Sequence, residues 1–210
     1  GVMDAFRNPK PAAALYASQG EGATVLTACT PMDIGDYPGG QIGDSAVLTN
    51  ADSVRLYKNG NYVTTLRTGD YPGLPHPPMI LDDIIGELLE TQEGFDEKKA
   101  DLLRACLLAA RKHGLAHLPP ADLARMGVAM TKYGLTFADA QKLYGKYVGN
   151  WGGEATVWRL DALKGGKVTS SVTLCPTSTK LHLEVTPSHT ELTERDTYDM
   201  AAVRVRILDE

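Results

Sequence analysis

Asp52-Ser-Val-Arg-Leu-Tyr-Lys-Asn-Gly-Asn-Tyr-Val-Thr-Thr-Leu66 decides the fold class. Asn59-Gly60 sits between two runs rich in β-branched and aromatic residues. Both central positions of a type I′ turn need positive φ, which Asn and Gly tolerate. A two-residue loop there pairs Lys58 with Asn61, Tyr57 with Tyr62 and Leu56 with Val63. Val54, Leu56 and Val63 then share a core face, and Tyr57 and Tyr62 stack on the other. A lone hairpin is marginal in water, so further strands must join it.

The neighbouring sequence supplies them. Residues 24–29 and 45–49 are short strand-like runs bounded by Gly, Pro and Asp, and 155–163 and 167–174 flank a second hairpin turn, Gly165-Gly166. Residues 180–185 alternate, which sets Leu181, Leu183 and Val185 inward and Lys180, His182 and Glu184 outward; Val203, Val205 and Ile207 likewise oppose Arg204 and Arg206.

After Leu74-Pro-His-Pro-Pro78 the apolar spacing turns helical. The first predicted helix, 82–91, groups Ile84, Ile85, Leu88 and Leu89 on one side. The second, 96–113, carries acids early and Arg111, Lys112 and His113 late, and ends at Gly114. A third runs from Pro119-Pro120 to just before Gly134. The fourth opens on Thr136-Phe-Ala-Asp139, a capping box with Asp in place of Glu, and stops at Gly149. Strands interrupted by such a block predict one sandwich carrying a small α-helical bundle, inserted at a hairpin tip. At the other end, a lone amphipathic helix opened by Asn8 before Pro9 and closed by Gly20 has no evident packing partner.

Composition narrows the function. The chain has 210 residues, 43% of them hydrophobic, and a net charge of −5 from 21 basic and 26 acidic residues. Nothing in that balance forms a footprint for nucleic acid or an anionic membrane. Apolar stretches such as 102–110 fall well short of the roughly 20 residues of a membrane span. No basic region followed by an apolar core opens the chain, and the compartment stays open between bacterial cytoplasm and secretion. Cys29, Cys106 and Cys175 are widely spaced, which favours reduced, partly buried thiols acting as small hydrophobes.

Gly1-Val-Met-Asp-Ala-Phe-Arg-Asn-Pro-Lys-Pro-Ala-Ala13, with Tyr16 a turn later, resembles the passage from the last strand to the last helix of the catalytic (β/α)8 barrel in glycoside hydrolase family 2, the β-galactosidase-like enzymes. Leu48-Thr-Asn-Ala-Asp-Ser-Val-Arg-Leu-Tyr-Lys-Asn-Gly60 is similar to the signature hairpin of the immunoglobulin-like sandwich that follows the barrel there. The resemblance implies a mainly β fold with a helical insertion, an immunoglobulin-like β-sandwich plus the small bundle. It divides the chain into a remnant of the last barrel helix (1–20), the sandwich (21–81 and 151–177), a helical insert (82–150) and the truncated start of a second immunoglobulin-like domain (178–210). It also implies a parent enzyme that hydrolyses β-glycosides, β-galactosides first among them, by a retaining mechanism with two Glu residues.

Those Glu residues lie on barrel strands before the segment matched here, the acid/base after an Asn. No Asn-Glu pair occurs in this chain, so no catalytic residue carries over, and the expected role is a non-catalytic accessory region. Asp4 and Arg7 match the barrel exit and are the substrate-rim candidates. Trp151, flanked by Gly149, Asn150, Gly152 and Gly153, is the carbohydrate-stacking candidate; Trp158, Tyr57, Tyr62 and Tyr71 read first as core and hairpin packing. No metal or cofactor is expected. Asp82-Asp83 reads as a helix-dipole pair, and His113 and His117 straddle the helix stop at Gly114. The expected partners are the missing barrel, a carbohydrate, and a second copy paired through the truncated edges of 181–210. A carbohydrate-binding module and a protein-interaction module built on the helical insert are the alternatives.

Overall fold

The computed structural model describes residues 1–33, 42–69, 71–149, 155–176, 180–195 and 198–209. The chain divides into two units, Gly1–Cys175 and Pro176–Glu210. In the first, α1 (Pro11–Ala17) precedes β1 (Leu26–Ala28), β2 (Ser45–Thr49), β3 (Ser53–Lys58), β4 (Asn61–Leu66) and β5 (Met79–Leu81). Helices α2 (Leu88–Glu93), α3 (Glu97–His113), α4 (Pro120–Tyr133) and α5 (Phe137–Tyr144) follow, and β6 (Trp158–Lys164) and β7 (Lys167–Leu174) return to the sheets.

The strands form two antiparallel sheets, ordered β1-β2-β5 and β4-β3-β6-β7. First, second and fifth strands in one sheet and third, sixth and seventh in the other is the immunoglobulin-like arrangement, here with the fourth strand beside the third. Val47, Met79 and Leu81 of the first sheet share one core with Val54, Leu56 and Leu160 of the second. The fold is therefore a β-sandwich carrying a helical insertion. The insertion does not leave from a hairpin tip, however. It connects β5 in one sheet to β6 in the other, so its first residues enter the space at the sandwich end.

Asn59 and Gly60 take φ of 48° and 80°, as the turn requires. Lys58 pairs with Asn61 and Tyr57 with Tyr62, but Leu56 lies opposite Thr64, not Val63. A β-bulge leaves Val63 as the extra residue, still fully buried. The cause is long-range: the Val63 carbonyl accepts the N–H of Glu87 at 3.1 Å, a bond the regular ladder has no place for. The Tyr57 and Tyr62 rings meet edge to face, with centroids 5.9 Å apart.

The helix expected over 82–91 begins only at Leu88. Gly86 sits at φ +47° and interrupts the helix, and the Asp83 carboxylate accepts the N–H groups of Ile85 (2.9 Å) and Gly86 (2.8 Å) as a turn staple. Asp83 therefore caps a turn and not a helix. Ile84, Ile85, Leu88 and Leu89 are nonetheless all buried in the common core; each such side chain contributes about 1.5–3 kcal/mol of transfer free energy. The local signals of the later helices hold. Asp96 caps α3 through the Lys99 N–H, Gly114 follows its end, and Thr136 and Asp139 form the reciprocal capping box of α5.

The opening helix starts at Pro11, two residues later than expected from Asn8 and Pro9, because the Asn8 amide is held by Asp4 and Pro9 bridges to Met3. It is anchored after all. Ser18 is fully buried, Gln19 donates to the His76 carbonyl at 2.8 Å and accepts the His76 N–H at 3.1 Å, and Asn50 donates to the Gly20 carbonyl at 2.9 Å. Of the cysteines only Cys106 is buried; Cys29 and Cys175 are exposed, each just past a strand end.

The second unit holds the hairpin of β8 (Leu181–Pro187) and β9 (Val203–Asp209). Leu183 pairs with Ile207 and Val185 with Val205, and on the opposite face Glu184 meets Arg206 at 2.7 Å. The alternation is as read, but the inward assignment is not: Leu183 is 65% and Ile207 68% exposed. A two-stranded sheet has no second layer of its own to cover that face.

Candidate functional site

Residues 2–10 form a closed loop. Met3 bridges to Pro9, and the Asp4 carboxylate accepts the N–H groups of Phe6 and Asn8 at 2.8 Å each and the Asn8 amide at 2.9 Å. Asp4 thus braces the loop with its acceptor sites. Arg7 takes φ +61°, unusual for a residue with a side chain, and Phe6 is 81% exposed. The two rim candidates lie on one tight turn, with the Arg7 N–H donating to the Asp4 carbonyl at 3.2 Å. Trp151 lies outside the described residues.

Of the other aromatics weighed for sugar stacking, Trp158 and Tyr57 are committed to packing. Trp158 is buried in the core, and the Tyr57 ring carries the Arg159 guanidinium 4.1 Å from its centre. Arg159 in turn meets Asp161 at 3.2 Å, and Asp161 accepts from Ser171 at 2.8 Å. Tyr71 is exposed. Among the described residues no group of three or more His, Cys, Asp or Glu side chains could hold a metal ion.

A polar cluster that the sequence reading passed over joins the sandwich to the helical insertion. Val54, Leu56 and Lys58 follow each other at the period of two along β3, so Lys58 falls on the core face and pairs across the sheet with Trp158. Its ammonium donates to the Lys146 carbonyl at 3.0 Å and lies 5.3 Å from the Trp158 ring centre and 5.9 Å from that of Tyr147. Lys146 belongs to a π-helical turn, Gly145–Gly149, that extends α5. The Glu93 carboxylate accepts from the Tyr147 hydroxyl at 2.6 Å and from Lys146 Nζ at 2.5 Å. The buried Trp158 indole N–H has no acceptor among the described residues.

Burial, then repulsion from Lys146, pulls the Lys58 pKa from its ordinary 10.5 to about 8. Burial, seconded by the bond to Glu93, raises that of the Tyr147 phenol. Partial burial would raise the Glu93 carboxyl, but the bonds from Lys146 and Tyr147 outweigh it and hold it low. Because the Lys58 value is lower folded than unfolded, the unfolded chain binds more protons between the two, and stability rises as pH climbs through that window. Lys58 is expected to contribute about 2 kcal/mol more stability at pH 10 than at pH 8, read by urea unfolding as the difference between the parent chain and Lys58→Met. The thiols of Cys29 and Cys106, raised by burial, act with the opposite sign in the same window and are common to both proteins. Tyr147 acts with the opposite sign, but only above the ordinary tyrosine range.

An apolar cavity of about 260 Å³ lies among α3, α4 and α5. Its sequence signal is the set of small side chains, Ala110, Ala129 and Ala140, on facing helices.

No family model and no curated protein matches this chain. A β-glycosidase from Bacteroides vulgatus is similar in structure, with a TM-score of 0.52 and 12% sequence identity over 100% of this chain and 17% of that one. The chain thus spans about a sixth of that enzyme, and a likeness at this identity speaks for the fold alone.

Proposed function

We propose that this chain is a non-catalytic accessory region of a family 2 glycoside hydrolase, a β-galactosidase-like enzyme whose two catalytic Glu residues lie on a barrel outside this sequence. What carries the reading is the order of the barrel-exit residues 1–13 and the Asn59-Gly60 hairpin. The fold likeness to a β-glycosidase along the whole chain supports it. In this reading residues 1–20 complete the barrel, and the sandwich buttresses it through the Gln19–His76 and Asn50–Gly20 bonds. Arg7 stands at the substrate rim on a loop braced by Asp4, and the helical insertion shapes access to the site. The β8–β9 hairpin is the start of a further sandwich that would cover its apolar face.

Assayed by itself on aryl β-galactosides and β-glucuronides, this chain is expected to release no aryl alcohol above the buffer rate. Turnover removed by substituting a carboxylate within it would overturn the proposal.

A further inference from the structure

We propose that the cavity enclosed by α3, α4 and α5 is a binding site for a compact, neutral, apolar ring compound. The site is built from inside the helix packing. Leu103, Cys106, Leu107 and Ala129 all line it, yet each is less than a tenth exposed, so the space reaches between the helices and is not merely a groove on their surface. A partner helix cannot enter such a space; a ring can.

Size and chemistry set the ligand class. An apolar cavity of about 150 Å³ stays dry and takes benzene; about 260 Å³ leaves room for two fused rings. Water entering this space would find few hydrogen-bond partners, since the polar side chains of the lining are Gln141, Tyr144 and the weakly bonding thiol of Cys106 among ten apolar residues. Met126 and Met130, four residues apart on α4, form a wall of unbranched, polarisable thioethers that adapts to ring shape and favours aromatic contact. Phe137, also part of the lining, is 72% exposed and marks the entrance. None of this depends on the glycosidase assignment.

Cys106 lies in the wall, whereas Cys29 and Cys175 are exposed elsewhere, so the protein carries its own reporter and controls. The whole chain is alkylated with N-ethylmaleimide with and without indole, and each cysteine is followed by peptide mass spectrometry. With indole at about ten times its dissociation constant, alkylation of Cys106 is expected to slow about tenfold while the rates at Cys29 and Cys175 stay unchanged. Ala129→Leu fills the cavity and should remove the protection with the helical circular dichroism retained; if that variant does not fold, Ala140→Leu on the facing wall serves instead. No protection of Cys106 up to the solubility limit of indole, equal slowing at all three cysteines, or protection that persists in the filled variant would each overturn the proposal.

Discussion

Gly86→Ala is expected to destabilise the first unit by about 4 kcal/mol, the sum of backbone strain and overpacking. A Cβ at Gly86 would lie 1.8 Å from the Val63 carbonyl oxygen and 2.5 Å from its carbon. Both are backbone atoms of the β3–β4 hairpin, so no side-chain rotation relieves the overlap. The φ of +47° adds a conformation that alanine resists. The Val63 carbonyl cannot withdraw without losing the Glu87 N–H and the bulge that presents it. Gly127, within α4, is the matched control: a methyl there meets nothing within 4 Å, and Gly127→Ala should gain up to about 1 kcal/mol in helix propensity. Urea unfolding of the two variants, read against the parent chain, checks both signs. A Gly86→Ala protein as stable as the parent would mean that the insertion does not seat on the bulge.

Arg111→Ala comes second, with an expected loss of about 3 kcal/mol. Arg111 is 4% exposed at the end of α3. Its Nε donates to the Ile42 carbonyl at 2.6 Å, one terminal nitrogen donates to the Asp82 carbonyl, and the other lies 3.1 Å from the Asp44 carboxylate as an ion pair. One side chain thus ties the insertion to the segment entering β2 and to the segment leaving β5. Burial lowers its pKa, while Asp44, Asp82 and Asp83 oppose that. Truncation leaves two carbonyls without their donor. Lysine should rescue poorly, because a single ammonium cannot span the planar fork. Hydrogen exchange would locate the effect: protection should fall first at the end of α3 and in residues 42–44, and a uniform loss would contradict the bridging role.

What was legible in the sequence is what short-range chemistry controls. The Asn59-Gly60 and Gly165-Gly166 turns follow from positive φ at adjacent residues, and the caps at Asp96 and Thr136 from side chains that reach their own helix. The bulge at Val63 was not legible, because its cause is Glu87, 24 residues away. Residues 84–89 misled for a related reason: Ile84, Ile85, Leu88 and Leu89 are buried equally well by a helix or by a turn followed by a helix, and Gly86 decides between them only once Val63 lies beneath it.

Burial against another layer is likewise a tertiary property. The alternation in 180–185 predicts a strand and its two faces, but a covering layer must come from elsewhere. Lys58 was readable in principle, since Val54 and Leu56 set its register; its charge argued against the inner face until Trp158, Tyr147 and the Lys146 carbonyl accommodated it. The cavity needs interhelical distances that no single helix encodes. For the rim candidates, the sequence placed Asp4 and Arg7 together, while the acceptor role of Asp4 within its own loop emerges only from the fold.

The central claim is that catalysis lies outside these residues, and a covalent trap tests it directly. A retaining glycosidase forms a glycosyl-enzyme intermediate on its nucleophile, which a 2-deoxy-2-fluoro β-glycoside with a good leaving group allows to accumulate. Peptide mapping of the intact polypeptide that carries this sequence is expected to place the adduct on a Glu that precedes Gly1, with residues 1–210 unlabelled. An adduct on any carboxylate within residues 1–210 would contradict the account.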